Sequence, residues 1–152
     1  MRIQEKENRT MSKYQVVVAS ADAARFFNRR GPLGPLEEFK ALTNPDARLP
    51  NREIDADAPG RSFDSVGGGR HAVTPEHDPR TQRELLFGKT IAEEIEAQRV
   101  AGNFDFIILV AEPKLLGAIR DHLDPVTQRM VLHTVDKNLS HLPPEEIVEH
   151  LP

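Results

Sequence analysis

The chain has 152 residues, no cysteine, and a formal charge of −4 from 20 basic and 24 acidic side chains. That length suits one domain with a single core, and the missing thiols exclude disulfides, cysteine catalysis and thiolate metal sites. The net negative charge argues against a general nucleic-acid coat and leaves a local basic surface as the way to hold an anionic partner.

Residues 1–13 carry Arg2, Lys6, Arg9 and Lys13 with almost nothing apolar. They lack the hydrophobic segment of a secretion signal and read as a disordered extension, in which Met11 is an alternative start to Met1. The longest apolar run, 106–111, is far too short to cross a bilayer. A cytoplasmic protein without membrane contact is expected.

Residues 14–20 (YQVVVAS) are β-branched and apolar almost without a break, as in a central strand covered on both faces. Asp22 follows in a tight connection, and 24–28 read as the returning strand of a hairpin. Gly31-Pro32 and Gly34-Pro35 punctuate the chain before 36–42, whose weaker pattern marks a third strand.

Between 43 and 78 no period is sustained, and Pro45, Pro50, Pro59, Pro75 and the triplet Gly67-Gly68-Gly69 interrupt any regular element. A connection this long inside a compact domain is either disordered or a functional loop. Three consecutive glycines suit a sharp bend or a close approach of backbone to another molecule, and equally a flexible connector.

Asp78-Pro79 is a good helix start, with Thr81 and Glu84 offering an overlapping capping box. The helix is expected to run to about Gly102, with Leu85, Ile91, Ala92 and Ile95 near one face and Glu93, Glu94, Glu96 and Arg99 mostly off it. Gly88 within it predicts close packing against a neighbour. Residues 104–110 (FDFIILV) form a second buried strand, Pro113 opens a helix with Leu115, Leu116, Ile119 and Leu123, and Asp124-Pro125 starts a short turn. Residues 130–136 read as a strand, and Pro143-Pro144-Glu145-Glu146 leads into a terminal helix.

The order β-β-β-α-β-α-β-α predicts an α/β domain over 14–152, with a mixed sheet antiparallel on one side, parallel on the other, and helices on its faces. That is the order of the ribonuclease H-like fold.

A metal-dependent hydrolase or nuclease of this fold needs carboxylates converging on Mg²⁺. The candidates are Asp22 after the first strand, Glu112 after the strand ending at 110, and Asp136 at the end of the last strand. Each also has a local role open to it, since Asp is common in turns and Glu112 precedes the Pro113 helix. Gly88-Lys89-Thr90 imitates the end of a nucleotide-binding loop, but position 83 is Arg rather than Gly and the segment sits inside a helix, so that reading fails. His71, His77 and Asp78 match no metal-ligand spacing, and the absence of G-x-S-x-G leaves a serine hydrolase unsupported. No cofactor is implied.

Arg61, Arg70, Arg80 and Arg83 bracket the glycine triplet and the start of the long helix, where backbone N–H groups and the helix-end potential also favour anions. Phosphate, including the backbone of RNA, is the natural partner for that combination. The competing arrangement pairs these arginines with Asp64, Glu76, Asp78 and Glu84.

The start VVVASADAARFF, the loop PGRSFDSVGGGRHAVTP, the segment FDFIILVAEPKLLGAIRDHL and the ending VDKNLSHLPPEEI resemble the bacterial host attachment protein family over 14–151. That family in turn resembles the middle domain of archaeal and eukaryotic peptide-chain release factors, where a Gly-Gly-Gln motif sits in the loop before the long helix. The resemblance puts Gly67, Gly68, Gly69 and Arg70 at the equivalent place. Arg70 or His71 follows the glycines here, and neither is an amide that would position water as the glutamine does. The resemblance therefore implies a non-hydrolytic module contacting the ribosome, through ribosomal or transfer RNA, with Arg61, Gly67, Gly68, Gly69, Arg70, His71, Arg80 and Arg83 at the interface. The family name implies a role in attachment to host cells, direct or indirect.

Overall fold

The structure, a computed structural model, describes residues 12–45 and 78–152. Three strands come first: β1 (Lys13–Ala19), β2 (Ala23–Arg30) and β3 (Glu37–Thr43). They are followed by α1 (Pro79–Val100), β4 (Phe106–Val110), α2 (Pro113–Asp121), α3 (Pro125–Met130), β5 (Val131–Val135) and α4 (Pro144–Glu149). The five strands lie in the order β3-β2-β1-β4-β5. β1, β2 and β3 pair antiparallel, while β4 runs parallel to both β1 and β5. The mixed α/β sheet expected from the sequence is therefore present. The segment from Asp124-Pro125 is a six-residue helix rather than a turn, and Lys13, assigned from sequence to the N-terminal extension, is the first residue of β1.

β1 is central because alternate residues feed opposite cores. Val17 and Ala19 join Phe26, Leu109 and Ile107 beneath Phe87, Ile91 and Ile95 of α1 and Leu115 and Ile119 of α2. Val16 and Val18 join Phe27, Ile108 and Val110 beneath Leu139 and Ile147 of the α4 side. The period-two alternation of a strand buried on both faces thus gives an unbroken apolar run. Fully burying each such side chain contributes about 1.5–3 kcal/mol.

On α1 the buried stripe is Phe87, Gly88, Ile91, Ala92 and Ile95. Leu85, expected on that face, is 37% exposed, and Leu86 is 65% exposed. The stripe is set by the 87/91/95 and 88/92 rows, and Leu85 lies at its edge, rotated outward. The helix ends at Val100 and is followed by Gly102, whose φ of 74° is left-handed, with Asn103 N–H donating to the Gln98 carbonyl at 3.0 Å.

The acids of α1 are more than a solvated face. Glu94 accepts from Lys40 Nζ of β3 at 2.8 Å and from Gln98 Nε2 at 2.8 Å. Glu96 accepts from Thr127 Oγ1 at 2.7 Å, from the Asp124 N–H at 2.6 Å and from Arg99 Nε at 2.9 Å. Two carboxylates thereby tie the long helix to the sheet edge and to the start of α3.

Candidate functional site

The C-terminal ends of β1 and β4 converge at one end of the sheet, where the N-termini of α1 and α2 also begin. Crevices at such strand ends are where open α/β sheets usually bind ligands. Here a cleft of about 190 Å³ is lined by Ala21, Asp22, Asn44, Arg80, Arg83 and Glu84.

Short-range hydrogen bonds build its floor. Ser20 Oγ accepts from the N–H groups of Asp22 (3.2 Å) and Ala23 (3.3 Å), closing the β1–β2 hairpin and leaving the Asp22 side chain exposed at its tip. Asn44, just past β3, binds the same tip twice: its N–H donates to the Asp22 carbonyl at 2.8 Å and its Nδ2 to the Ala21 carbonyl at 3.1 Å. The side-chain amide locks the end of β3 to the β1–β2 hairpin.

The wall is the first turn of α1. Asp78 caps it, Oδ1 accepting from the Thr81 N–H at 2.7 Å, with Pro79 at the first helical position. The hydrogen bond from the Thr81 backbone holds the Asp78 carboxyl below its ordinary value, with a smaller contribution from the Arg80 N–H. Asp78 therefore already occupies the helix-end donors that the sequence offers to an external anion. Any anion affinity here must come from the guanidinium groups instead.

Arg80 and Arg83 lie one turn apart on the face turned to the cleft. Neither forms an ion pair with an acid among the described residues, and Glu84 is not their partner. Arg80 is exposed. Arg83 is half-buried, and its Nε and Nη1 are buried without an acceptor among the described residues. Buried guanidinium donors left unmet cost free energy, so an acceptor oxygen entering the cleft would relieve that cost.

Glu84 belongs to the same neighbourhood from the other side. Burial pushes its carboxyl up from the ordinary value; the Glu112 carboxylate adds to the rise and Lys114 opposes it. Glu112 is the N-cap residue of α2, yet its side chain makes no capping hydrogen bond. Sequence reading named Arg80, Arg83 and Glu112 but not Asn44 or Lys114. The available signals were Thr-Asn-Pro ending the third strand, a turn signature, and the lysine one residue inside a Pro-initiated helix.

Of the other expected positions, Arg61, Gly67, Gly68, Gly69, Arg70 and His71 lie outside the described residues, as does His77. The chain leaves the described structure after Pro45 and returns at Asp78, next to cleft residues Asn44 and Arg80. Asp22, Glu112 and Asp136 are all exposed. Among the described residues no group of three or more His, Asp or Glu side chains is placed to hold a metal ion, and these three form no such group. Also among the described residues, no helix is long and apolar enough to cross a membrane.

A family model described as "Protein required for attachment to host cells" matches residues 15–151. No curated protein matches the chain. Among solved structures, the archaeal translation termination factor aRF1 is similar at 14% identity and a TM-score of 0.48, over 90% of this chain and 34% of that one. A chain of a PilM-PilN type IV pilus biogenesis complex is similar at 14% identity and a TM-score of 0.40, over 97% of this chain and 44% of that one. The chain thus spans less than half of either protein's length, and likeness at this level says nothing about activity or partner.

Proposed function

This chain belongs to the family of proteins required for attachment to host cells, and from that premise we propose that it is a cytoplasmic, non-hydrolytic binding module whose partner is ribosomal or transfer RNA. The contact surface is the cleft with Arg80 and Arg83, extended by Arg61, Gly67, Gly68, Gly69, Arg70 and His71 of the connection that departs from its rim. One observation carries the reading: Arg83 presents buried, unmet Nε and Nη1 donors at a cleft that it shares with the exposed Arg80. Phosphate oxygens satisfy such forked donors better than any neutral group. A local pair of unneutralised cations also reconciles phosphate binding with an acidic chain.

The test is co-sedimentation of the full chain with ribosomes, and separately with bulk transfer RNA, across a salt series. Association is expected at roughly 50 mM salt and lost by several hundred millimolar, because each phosphate contact releases a counterion. An Arg80→Ala/Arg83→Met variant should lose it even at low salt. No association of the unaltered chain at low salt overturns the proposal.

The family's own description favours a second reading, a factor acting in attachment to host cells. Accessibility of the chain on intact cells to added protease separates the two. Surface exposure supports a direct role in attachment, and protection leaves any effect on attachment indirect.

A further inference from the structure

A larger groove, of about 670 Å³, lies at the opposite end of β1 from the Asp22 cleft, next to the C-terminal end of α1. Its volume is in the range of small-molecule sites. Cross-strand partners point to the same face of a sheet, so the register Lys13↔Arg30, Gln15↔Asn28 and Asn28↔Glu37 puts these side chains together on the α1 side. Phe39 joins them from edge strand β3, 38% exposed and edge-on to Phe26.

Gln15 sits completely buried in the middle of this set. The orientation of its amide is fixed by a relay that starts at a carboxylate. Glu94, held by Lys40 and able only to accept, takes the Gln98 Nε2. That turns Gln98 Oε1 toward Gln15, whose Nε2 donates to it at 3.1 Å and to Asn28 Oδ1 at 3.2 Å. Asn103 Nδ2 donates to the same Gln98 oxygen at 2.8 Å, which fixes the assignment a second time. Gln15 Oε1 is left buried with no donor among the described residues. Asn28, on the same groove and exposed, has its Oδ1 used and its Nδ2 without an acceptor among the described residues.

Gln15, itself out of reach of any ligand, fixes the Asn28 amide through its Oδ1 and so leaves the exposed Nδ2 free as a donor to a base acceptor, one of the contacts by which Asn reads bases. Phe39 offers an exposed ring for a base to stack on. Glu37 is placed to accept from ribose hydroxyls, as acidic residues do in nucleotide sites. Arg30, exposed and without an ion pair among the described residues, supplies the cation for a phosphate. We propose that this groove is a binding site for a nucleoside monophosphate: base on the Asn28 amide, which Gln15 positions, and against the Phe39 ring, ribose at Glu37 and phosphate at Arg30. The site is independent of the arginine cleft, with which it shares no lining residue.

The experiment is a titration of the ¹⁵N-labelled full chain with AMP, GMP, CMP and UMP, and with inorganic phosphate alone. At least one nucleotide is expected to move the Gln15 and Asn28 side-chain amide signals with a Kd of about 1 mM or tighter. Asn28→Ala should weaken that binding about tenfold or more, and Phe39→Ala about fivefold. If Asn28→Ala does not fold, Arg30→Ala on the open surface reads the phosphate contact instead. No shift with any nucleotide at about 10 mM, the same shifts from phosphate alone, or nucleotide binding that survives these substitutions overturns the proposal.

Discussion

Gly88 of α1 lies directly on Ala118 of α2: a β-carbon added to Gly88 would come within 2.7 Å of Ala118 Cβ and 3.4 Å of its carbonyl carbon. Real carbon atoms do not approach that closely, and neither a methyl nor a helix backbone can swing away. Gly88→Ala should therefore destabilise by about 1–3 kcal/mol from overpacking, although alanine is worth up to about 1 kcal/mol more than glycine in an isolated helix. Chemical denaturation of the two chains measures it. A stabilised variant would mean that α1 and α2 have room to part.

That glycine was legible in the sequence, and the reason is physical: a residue that costs helix propensity in the middle of a strong helix must be repaid by contact. The unbroken runs of β1 and β4 were legible on the same basis, because burial on both sheet faces removes polar alternation. Leu85 misled because one apolar residue near a helix start fits two adjacent stripes, and only the positions of Phe87, Ile91 and Ile95 against the sheet decide between them. Local spacing puts Glu96 mostly off the apolar face but cannot show its partners, Thr127 and the Asp124 N–H, which are some thirty residues further along the chain. At the candidate site the arginines and the Asp78 cap were both legible, but not that Arg83 has no acceptor among the described residues. That depends on which of several adjacent acids the backbone turns inward.

Glu96→Gln tests the tie between α1 and α3. Burial pushes the Glu96 carboxyl up, but the bonds from Thr127, Arg99 and the Asp124 backbone outweigh it and hold it below its ordinary value of 4.5. A carboxyl depressed by folding adds stability above its unfolded value, and that stability is lost as pH falls through the lower folded value. The variant should be less stable by about 1–2 kcal/mol at pH 7. Denaturation at a series of pH values should show the gap closing below 4.5, and a gap that persists in acid would refute the charge-based account.

For Glu84 the sign is opposite. Its carboxyl is raised by burial and by Glu112, so ionising it opposes folding. The cost is absent below the ordinary value of 4.5 and grows as pH rises through the higher folded value. Glu84→Gln should raise Tm at neutral pH and lose that advantage near pH 4. Lys114→Met, which removes the opposing cation, should lower Tm at neutral pH in a chain that retains Glu84 and have little effect in the Glu84→Gln background. An equal effect in both backgrounds would show that the two side chains do not interact.

Arg83→Met separates folding from binding at the cleft. Its Nε and Nη1 are buried without acceptors among the described residues, and unmet donors of this kind cost about 1–3 kcal/mol. Replacing them with an apolar group of similar length should leave the chain as stable as before or about 1 kcal/mol more so. If the cleft holds phosphate, the same change should remove one counterion-linked contact and lower the slope of log affinity against log salt by about 0.7–0.9. A side chain kept only for structure would show the reverse, with stability falling and the salt slope unmoved. Greater stability together with weaker, less salt-sensitive RNA binding is the pattern of a guanidinium held ready for a partner, and measuring both on one variant distinguishes that from a folding defect.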